Sequence, residues 1–107
     1  KKALDNLDNI FSVKDLDGYI IGPYDLSASL GCPGEFKHPN YLKAIKKITN
    51  TAKKYKCSSG IHIVEPDIQE LKKAIKNNFK FIAFSVDIRI IDNFVSVSDQ
   101  FIKKIKK

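Results

Sequence analysis

Three times over, this sequence runs a short apolar segment into a break and then into an amphipathic stretch, and that order constrains its fold more than any other feature. The apolar segments are Tyr19–Ile21, Ser59–Val64 and Phe79–Val86. The amphipathic stretches begin at His38-Pro39, at Glu65-Pro66-Asp67 and at Asp87. Strands that alternate with helices of ten or more residues pair in parallel, because each crossover returns the chain to the same end of the sheet. Three parallel strands alone leave two open edges and an uncovered face. A closed (β/α)8 barrel takes about 250 residues. The expectation is therefore α/β, a piece of a larger parallel sheet, entered at a helix with no strand before it.

The helix patterns can be read residue by residue. In residues 2–11, Leu4, Leu7, Ile10 and Phe11 recur at helical spacing, and one short amphipathic helix is predicted, with 12–17 as its connector. From His38 onward, Leu42, Ile45, Ile48, Ala52 and Tyr55 repeat at three and four, with lysines on the other face. Ile68, Leu71, Ala74 and Ile75 form the next predicted buried stripe, which Asn77-Asn78 ends. The last helix carries Ile88, Ile91, Val95, Ser98, Ile102 and Ile105 in the same alternation, and its terminal lysines suit a helix C-terminus. In the middle strand, Ile61 and Ile63 fall on one side and Gly60, His62 and Val64 on the other.

Charge narrows the partners. The formal net charge is +7, with one arginine among 19 basic residues. Eleven lysines lie between Lys37 and Lys80, on the polar faces of the helix patterns. Nucleic-acid contacts favour arginine and stacking aromatics, and neither is concentrated here. The lysines are read as solvated helix faces, and a basic binding module ranks below the readings given next. No apolar run reaches the length of a membrane span. Cys32 and Cys57 lack metal-ligand or redox-pair spacing and read as free thiols in a reducing cytoplasm. The sequence contains no Met, which fits a partial chain.

Chemistry concentrates in Gly18–Gly34. The strand breaks at Gly22-Pro23, presents Asp25, and continues through Leu26-Ser27-Ala28-Ser29-Leu30 to Gly31 and a second break at Pro33-Gly34. Taken alone, Asp25 reads as the N-cap of a short helix, Leu26–Leu30. Ser27 and Ser29 read as small packing residues, since no base accompanies them.

Gly22-Pro23-Tyr24-Asp25-Leu26-Ser27, with Gly31, Pro33-Gly34 and His38-Pro39 after it, resembles the metal-dependent class II pyruvate aldolases. These are typified by hydroxy-oxo-heptanedioate and dehydrodeoxyglucarate aldolases, in the aldolase/citrate lyase beta superfamily. Gly60-Ile61, Val86-Asp87 and Ala3–Ile10 extend the resemblance over essentially all of residues 1–107. The resemblance implies the C-terminal part of a (β/α)8 TIM barrel: helix five and βα units six, seven and eight. It implies carbon–carbon lyase chemistry, in which a 4-hydroxy-2-oxo acid is cleaved to pyruvate and an aldehyde through a metal-stabilised enolate. The implied cofactor is a divalent metal (Mg, Mn or Co) bound by the complete enzyme, with Asp25 as one ligand. The partner glutamate, the arginine clamp and the catalytic histidine of the family fall on earlier strands, so no catalytic residue is assigned within this chain.

By the same resemblance, the amides of Tyr24 and Asp25 face the substrate carboxylate. His62, at the end of its strand, is either a substrate contact or a hydrogen-bonded interior histidine. His38 reads as a loop or capping residue, Glu65 and Asp67 as complements to a helix start, and Asp87 and Arg89 as helix-start and ion-pair residues. The relatives imply a cytoplasmic homo-oligomer acting on 2-oxo acids. The alternative is a catalytically incompetent fragment that acts only through association with a partner chain.

Overall fold

The computed structural model describes residues 2–105 and shows a three-stranded parallel sheet in the order β1-β2-β3. After a 3-10 turn, Lys2–Asp5, the elements are α1 (Leu7–Phe11), β1 (Gly18–Ile21), α2 (Pro23–Ser29), α3 (Pro39–Lys54), β2 (Ser58–Ile63), α4 (Ile68–Lys76), β3 (Phe81–Phe84) and α5 (Asp87–Ile105). The predicted single helix over residues 2–11 is instead split at Asn6, whose backbone (φ −124°, ψ 21°) leaves the helical region. The Asn6 side chain accepts from Asn9, an alternative to the helical ladder that asparagine commonly takes. Asp8, in the first turn of α1, accepts from Lys54 Nζ at 2.8 Å and from the Tyr55 hydroxyl at 2.9 Å, tying α1 to the end of α3. The Lys54 ammonium, then the Tyr55 hydroxyl, hold this carboxyl below its ordinary range.

The register fixes the two faces of the sheet. Ile20 pairs with Gly60, Ile21 with Ile61, Gly60 with Phe81 and His62 with Ala83. Alternation then puts Tyr19, Ile21, Ile61, Ile63, Ile82 and Phe84 on one face. The core lies there, built from Leu7, Phe11, Ile21, Ile48, Ala52, Cys57, Ile63, Ala74 and Phe79. The other face carries Ile20, Gly60, His62, Phe81 and Ala83, and it is open at Ile20 and Phe81, which are exposed. The apolar segment Tyr19–Ile21 is therefore buried on one side, at Ile21, and open on the other, at Ile20.

Three helices end alike. After α2, α3 and α4, one residue turns left-handed: Gly31 (φ 78°), Lys56 (φ 58°) and Asn78 (φ 64°). Its amide bonds back to Ala28, Lys53 or Ile75, and the next amide to Ser27, Ala52 or Ala74. This is the Schellman termination, in which the residue after the left-handed one packs against the helix. Those residues are Cys32, Cys57 and Phe79, all buried. The two cysteines are free and are core side chains at helix ends.

Two apolar stripes are less covered than predicted. In α4 only Ala74 is buried; Ile68 and Ile75 are exposed. In α5 no residue is buried, and Ile88, Ile91, Val95, Ile102 and Ile105 all face outward, as do Phe94 and Phe101. The strand limits also shift. The predicted strand 79–86 shrinks to Phe81–Phe84, because Phe79 closes the α4 terminus and Ser85 (φ 61°) leaves the extended region. The middle strand runs Ser58–Ile63, so Val64 lies beyond it. No described helix is long and apolar enough to cross a membrane.

Candidate functional site

The C-terminal ends of the three parallel strands lie side by side, and most of the residues singled out in the sequence collect there. At the end of β1, Gly22 (φ −89°, ψ 103°) is the N-cap of α2, and Pro23 occupies the first helical position. A proline suits that position because its missing N–H has no acceptor there in any case. Asp25 is therefore the third residue of the first turn, not the N-cap: the helix starts earlier than the sequence suggested, and no side chain caps it. A Cβ built on Gly22 would lie 2.9 Å from Asp25 Oδ2, so the carboxylate is folded back over the turn and would swing aside for any larger residue there. The carboxylate stays exposed. Among the described residues, neither the Tyr24 nor the Asp25 amide has a backbone acceptor.

The turn is braced from behind. Ser27 is fully buried; its hydroxyl donates to the Tyr24 carbonyl at 2.9 Å and accepts from the Gly34 amide at 3.0 Å. The Tyr24 ring meets Phe36 edge-on (centroids 5.0 Å apart, 85°), and Phe36 meets the buried Tyr41 of α3 at 5.5 Å. Burial pushes the Tyr41 phenol up to about 12. His38 Nδ1 accepts from the Asn40 amide at 3.1 Å and so caps α3, as predicted.

At the end of β2, His62 is half-buried with Nε2 3.3 Å from the Ser85 carbonyl. A carbonyl only accepts, so Nε2 carries the proton. Ser85 is buried and left-handed; its amide bonds to the Ile63 carbonyl and its hydroxyl to the Val64 carbonyl at 2.9 Å. Such a backbone is sparsely populated by non-glycine residues, and it holds the ends of β2 and β3 together. Glu65 accepts from Arg89 at 2.7 Å, and Arg89 also reaches Asp92 at 2.9 Å, so the first turn of α5 is clipped to the end of β2. Asp67, not Glu65, caps α4 through bonds to Gln69 and Glu70. Asp87 accepts from the Ile88 amide at 2.7 Å.

Tyr24 and His62 line one groove of about 460 Å³ together with Phe36, Tyr41 and Glu65. Asp25 does not line it. Its carboxylate borders a neighbouring depression of about 420 Å³ with Ile20, Gly22 and Leu26. The structure thus brings two of the three candidate residues together and sets the third on the other side of the same turn.

Hard divalent cations take several oxygen ligands, and carboxylates are the usual ones. Asp25, exposed and in none of the ion pairs among the described residues, fits one such position. Among the described residues no three His, Cys, Asp or Glu side chains group to hold a metal, so these residues fit one ligand of a set and not the set. Burial raises the Cys57 thiol, and the Ser27 hydroxyl is committed on both sides, so neither is an activated nucleophile.

Three residues at this end escaped the sequence reading. Ser27 looked like a spacer because its partner amide is seven residues away, beyond a glycine turn. Phe36 sits in a loop without periodicity. Ser85 falls inside an apolar run, and nothing in its neighbours signals a left-handed backbone.

Residues 1–93 match the family described as HpcH/HpaI aldolase/citrate lyase. Over 87 residues, 81% of this chain, the sequence is 40% identical to 2-keto-3-deoxy-L-rhamnonate aldolase of Escherichia coli (strain K12). The match covers 32% of that protein, so the chain spans about a third of the length of the curated relatives it matches. Among solved structures, an HpcH/HpaI aldolase from Desulfitobacterium hafniense DCB-2 superposes with a TM-score of 0.86 at 25% identity, over 95% of this chain and 39% of that one. An HpcH/HpaI aldolase/citrate lyase family protein from Burkholderia cenocepacia J2315 gives 0.81 at 22% identity, over 97% and 38%. The three strands and their helices therefore form part of a TIM-barrel-like fold.

Proposed function

The chain belongs to the HpcH/HpaI aldolase/citrate lyase family, and on that premise we propose that it is the C-terminal part of a pyruvate aldolase barrel, βα units six to eight, in a protein that cleaves a 4-hydroxy-2-oxo acid to pyruvate and an aldehyde. The observation that carries the reading is the turn at the end of β1. There an exposed carboxylate and two amides without backbone acceptors among the described residues fall on two residues, Tyr24 and Asp25, at the end of the sheet where parallel α/β folds keep their chemistry. A divalent cation, when bound, supplies Lewis-acid polarisation of a 2-oxo acid and stabilises charge that develops on its oxygen.

The roles of this chain's own residues follow. Asp25 offers one oxygen ligand. The Tyr24 and Asp25 amides donate to the substrate carboxylate, as first-turn N–H groups do for anions. His62, with Nε2 engaged by the Ser85 carbonyl, keeps Nδ1 free to accept from a substrate hydroxyl. Tyr24 closes one side of the His62 groove. The sheet face open at Ile20 and Phe81 is the surface that the remaining strands of a barrel enclose. The bare apolar residues of α5 support self-association, so a homo-oligomer belongs to this reading. The two free buried thiols support a reducing, cytoplasmic setting.

The test compares the 107-residue chain with the complete gene product that carries it. Both are incubated with a 4-hydroxy-2-oxo acid and Mn²⁺, and pyruvate is read through a coupled dehydrogenase. The complete product should release pyruvate, its Asp25→Asn variant should not, and the isolated chain should release none. Pyruvate release unchanged by Asp25→Asn defeats the reading. A complete product that binds neither Mn²⁺ nor pyruvate favours the incompetent fragment.

A further inference from the structure

We propose that Ser27 and Phe36 are positioning residues for the Asp25 turn, and that loop 31–38 is the brace through which they act. The inference rests on the aldolase reading, and it assigns a task other than ligation to Ser27, buried behind the turn, and to Phe36, on the wall of the groove. Tyr24 is held at two points. Its carbonyl is fixed by the buried Ser27 hydroxyl, which spends its other valence on the Gly34 amide. Its ring is fixed by Phe36, which stands on Tyr41 of α3. Gly34 (φ 74°) turns the loop so that its amide points inward to Ser27. The loop is internally stiff: Glu35, Phe36 and His38 amides bond to the carbonyls of Cys32, Gly34 and Glu35.

The consequence is mechanical. Helix α2 has seven residues and no side-chain cap, so its first turn has little rigidity of its own. The brace supplies that rigidity from α3, a 16-residue helix with four buried side chains. Asp25 follows Tyr24 directly, so fixing the Tyr24 carbonyl and ring fixes the backbone from which the carboxylate projects. Preorganised ligands and donors bind more tightly than ones that must be ordered on binding.

The experiment uses the complete gene product and the variants Phe36→Ala, Phe36→Tyr, Ser27→Ala and Asp25→Asn. The first readout is amide hydrogen exchange by mass spectrometry without ligand. In Phe36→Ala, peptides covering residues 26–34, which carry the hydrogen-bonded amides of Leu26, Leu30, Cys32 and Gly34, should exchange about tenfold faster while those of β2 and β3 stay unchanged, and Phe36→Tyr should restore protection. The second readout is Mn²⁺ affinity by electron paramagnetic resonance and pyruvate affinity by calorimetry. Both dissociation constants should rise about tenfold in Phe36→Ala and stay within twofold in Phe36→Tyr. Ser27→Ala should behave as Phe36→Ala does; should it fail to fold, the Phe36 pair carries the test. Exchange at 26–34 unchanged in Phe36→Ala, or raised equally throughout the protein, overturns the proposal. Asp25→Asn separates the two readings: if it keeps full Mn²⁺ affinity the aldolase assignment falls, while the exchange result still decides whether the brace exists.

Discussion

Gly60→Ala is the substitution that most directly tests how the sheet holds the site. Gly60 is in the central strand, paired with Ile20 on one side and Phe81 on the other. A Cβ there would lie 2.5 Å from the Tyr19 carbonyl oxygen, 3.0 Å from Phe81 Cδ1 and 3.1 Å from the Phe81 carbonyl oxygen. The first distance is about 0.9 Å short of the 3.4 Å at which ordinary contact begins. Moving β2 away from β1 drives it into β3, so the sheet must open rather than slide. Overpacking in a rigid environment costs about 1–3 kcal/mol. Each ladder hydrogen bond stretched beyond use adds about 1 kcal/mol. Restricting the unfolded chain returns up to about 1 kcal/mol. The net expectation is a loss of about 3 kcal/mol. With an m-value of about 1–3 kcal/mol/M, the urea midpoint of the complete gene product, followed by far-UV circular dichroism, should fall by at least about 1 M. Ser58→Ala, two residues earlier on the same face and exposed, is the control and should change stability by less than about 0.5 kcal/mol. A Gly60→Ala midpoint within about 0.3 M of the parent would show that the strands separate freely and would refute the close-packing argument.

Lys56→Gly should stabilise the protein by about 0.5–1 kcal/mol in the same urea assay, since a left-handed non-glycine residue costs about 1–2 kcal/mol and glycine's extra unfolded entropy offsets part of that. Tyr41→Phe should remove a high-pH step from the stability profile. With the folded phenol at about 12 and the unfolded one near 10, the neutral form is favoured in the fold; its contribution is full below about pH 10 and is lost as pH rises toward 12, which denaturation at stepped alkaline pH will show. Phe94→Glu, on the bare face of α5, should lower the mass of the complete gene product in light scattering without loss of far-UV signal, if that face joins copies of the chain. An unchanged mass would remove α5 from the interface.

The parts legible in the sequence are those governed by local rules. The alternation of elements, the parallel pairing, the helix start at His38-Pro39 and the Asn77-Asn78 stop all rest on periodicity or on one residue's backbone preference, and the structure has each of them. Gly22–Ser27 pointed to the family because the motif is contiguous. What stayed hidden depends on partners distant in sequence. Ser27 acquires its role only once Gly34 folds back on it, and Ser85 only once β3 lies beside β2. The α5 stripe has helical spacing, but spacing reports an apolar face and not what covers it. The N-cap error at Asp25 has a smaller cause: aspartate is a favoured cap, and proline at the first helical position was the stronger signal.

The shared termination of α2, α3 and α4 also determines where the chain tolerates changes in length. The left-handed residue and its buried successor finish a helix in the same geometry whatever comes next. After Cys57 the chain enters β2 at the following residue, and after Phe79 only Lys80 precedes β3, so an inserted residue there would shift a strand against its neighbours. After Cys32 the same ending releases a loop that runs to His38 before α3 begins. Lys37 and His38 lie beyond Phe36, the last residue of the brace that touches Tyr24, so an insertion between them gives up the His38 amide bond to the Glu35 carbonyl but shifts no strand against its neighbours. Of the three junctions, only the one beside Asp25 has slack, and that slack begins after Phe36.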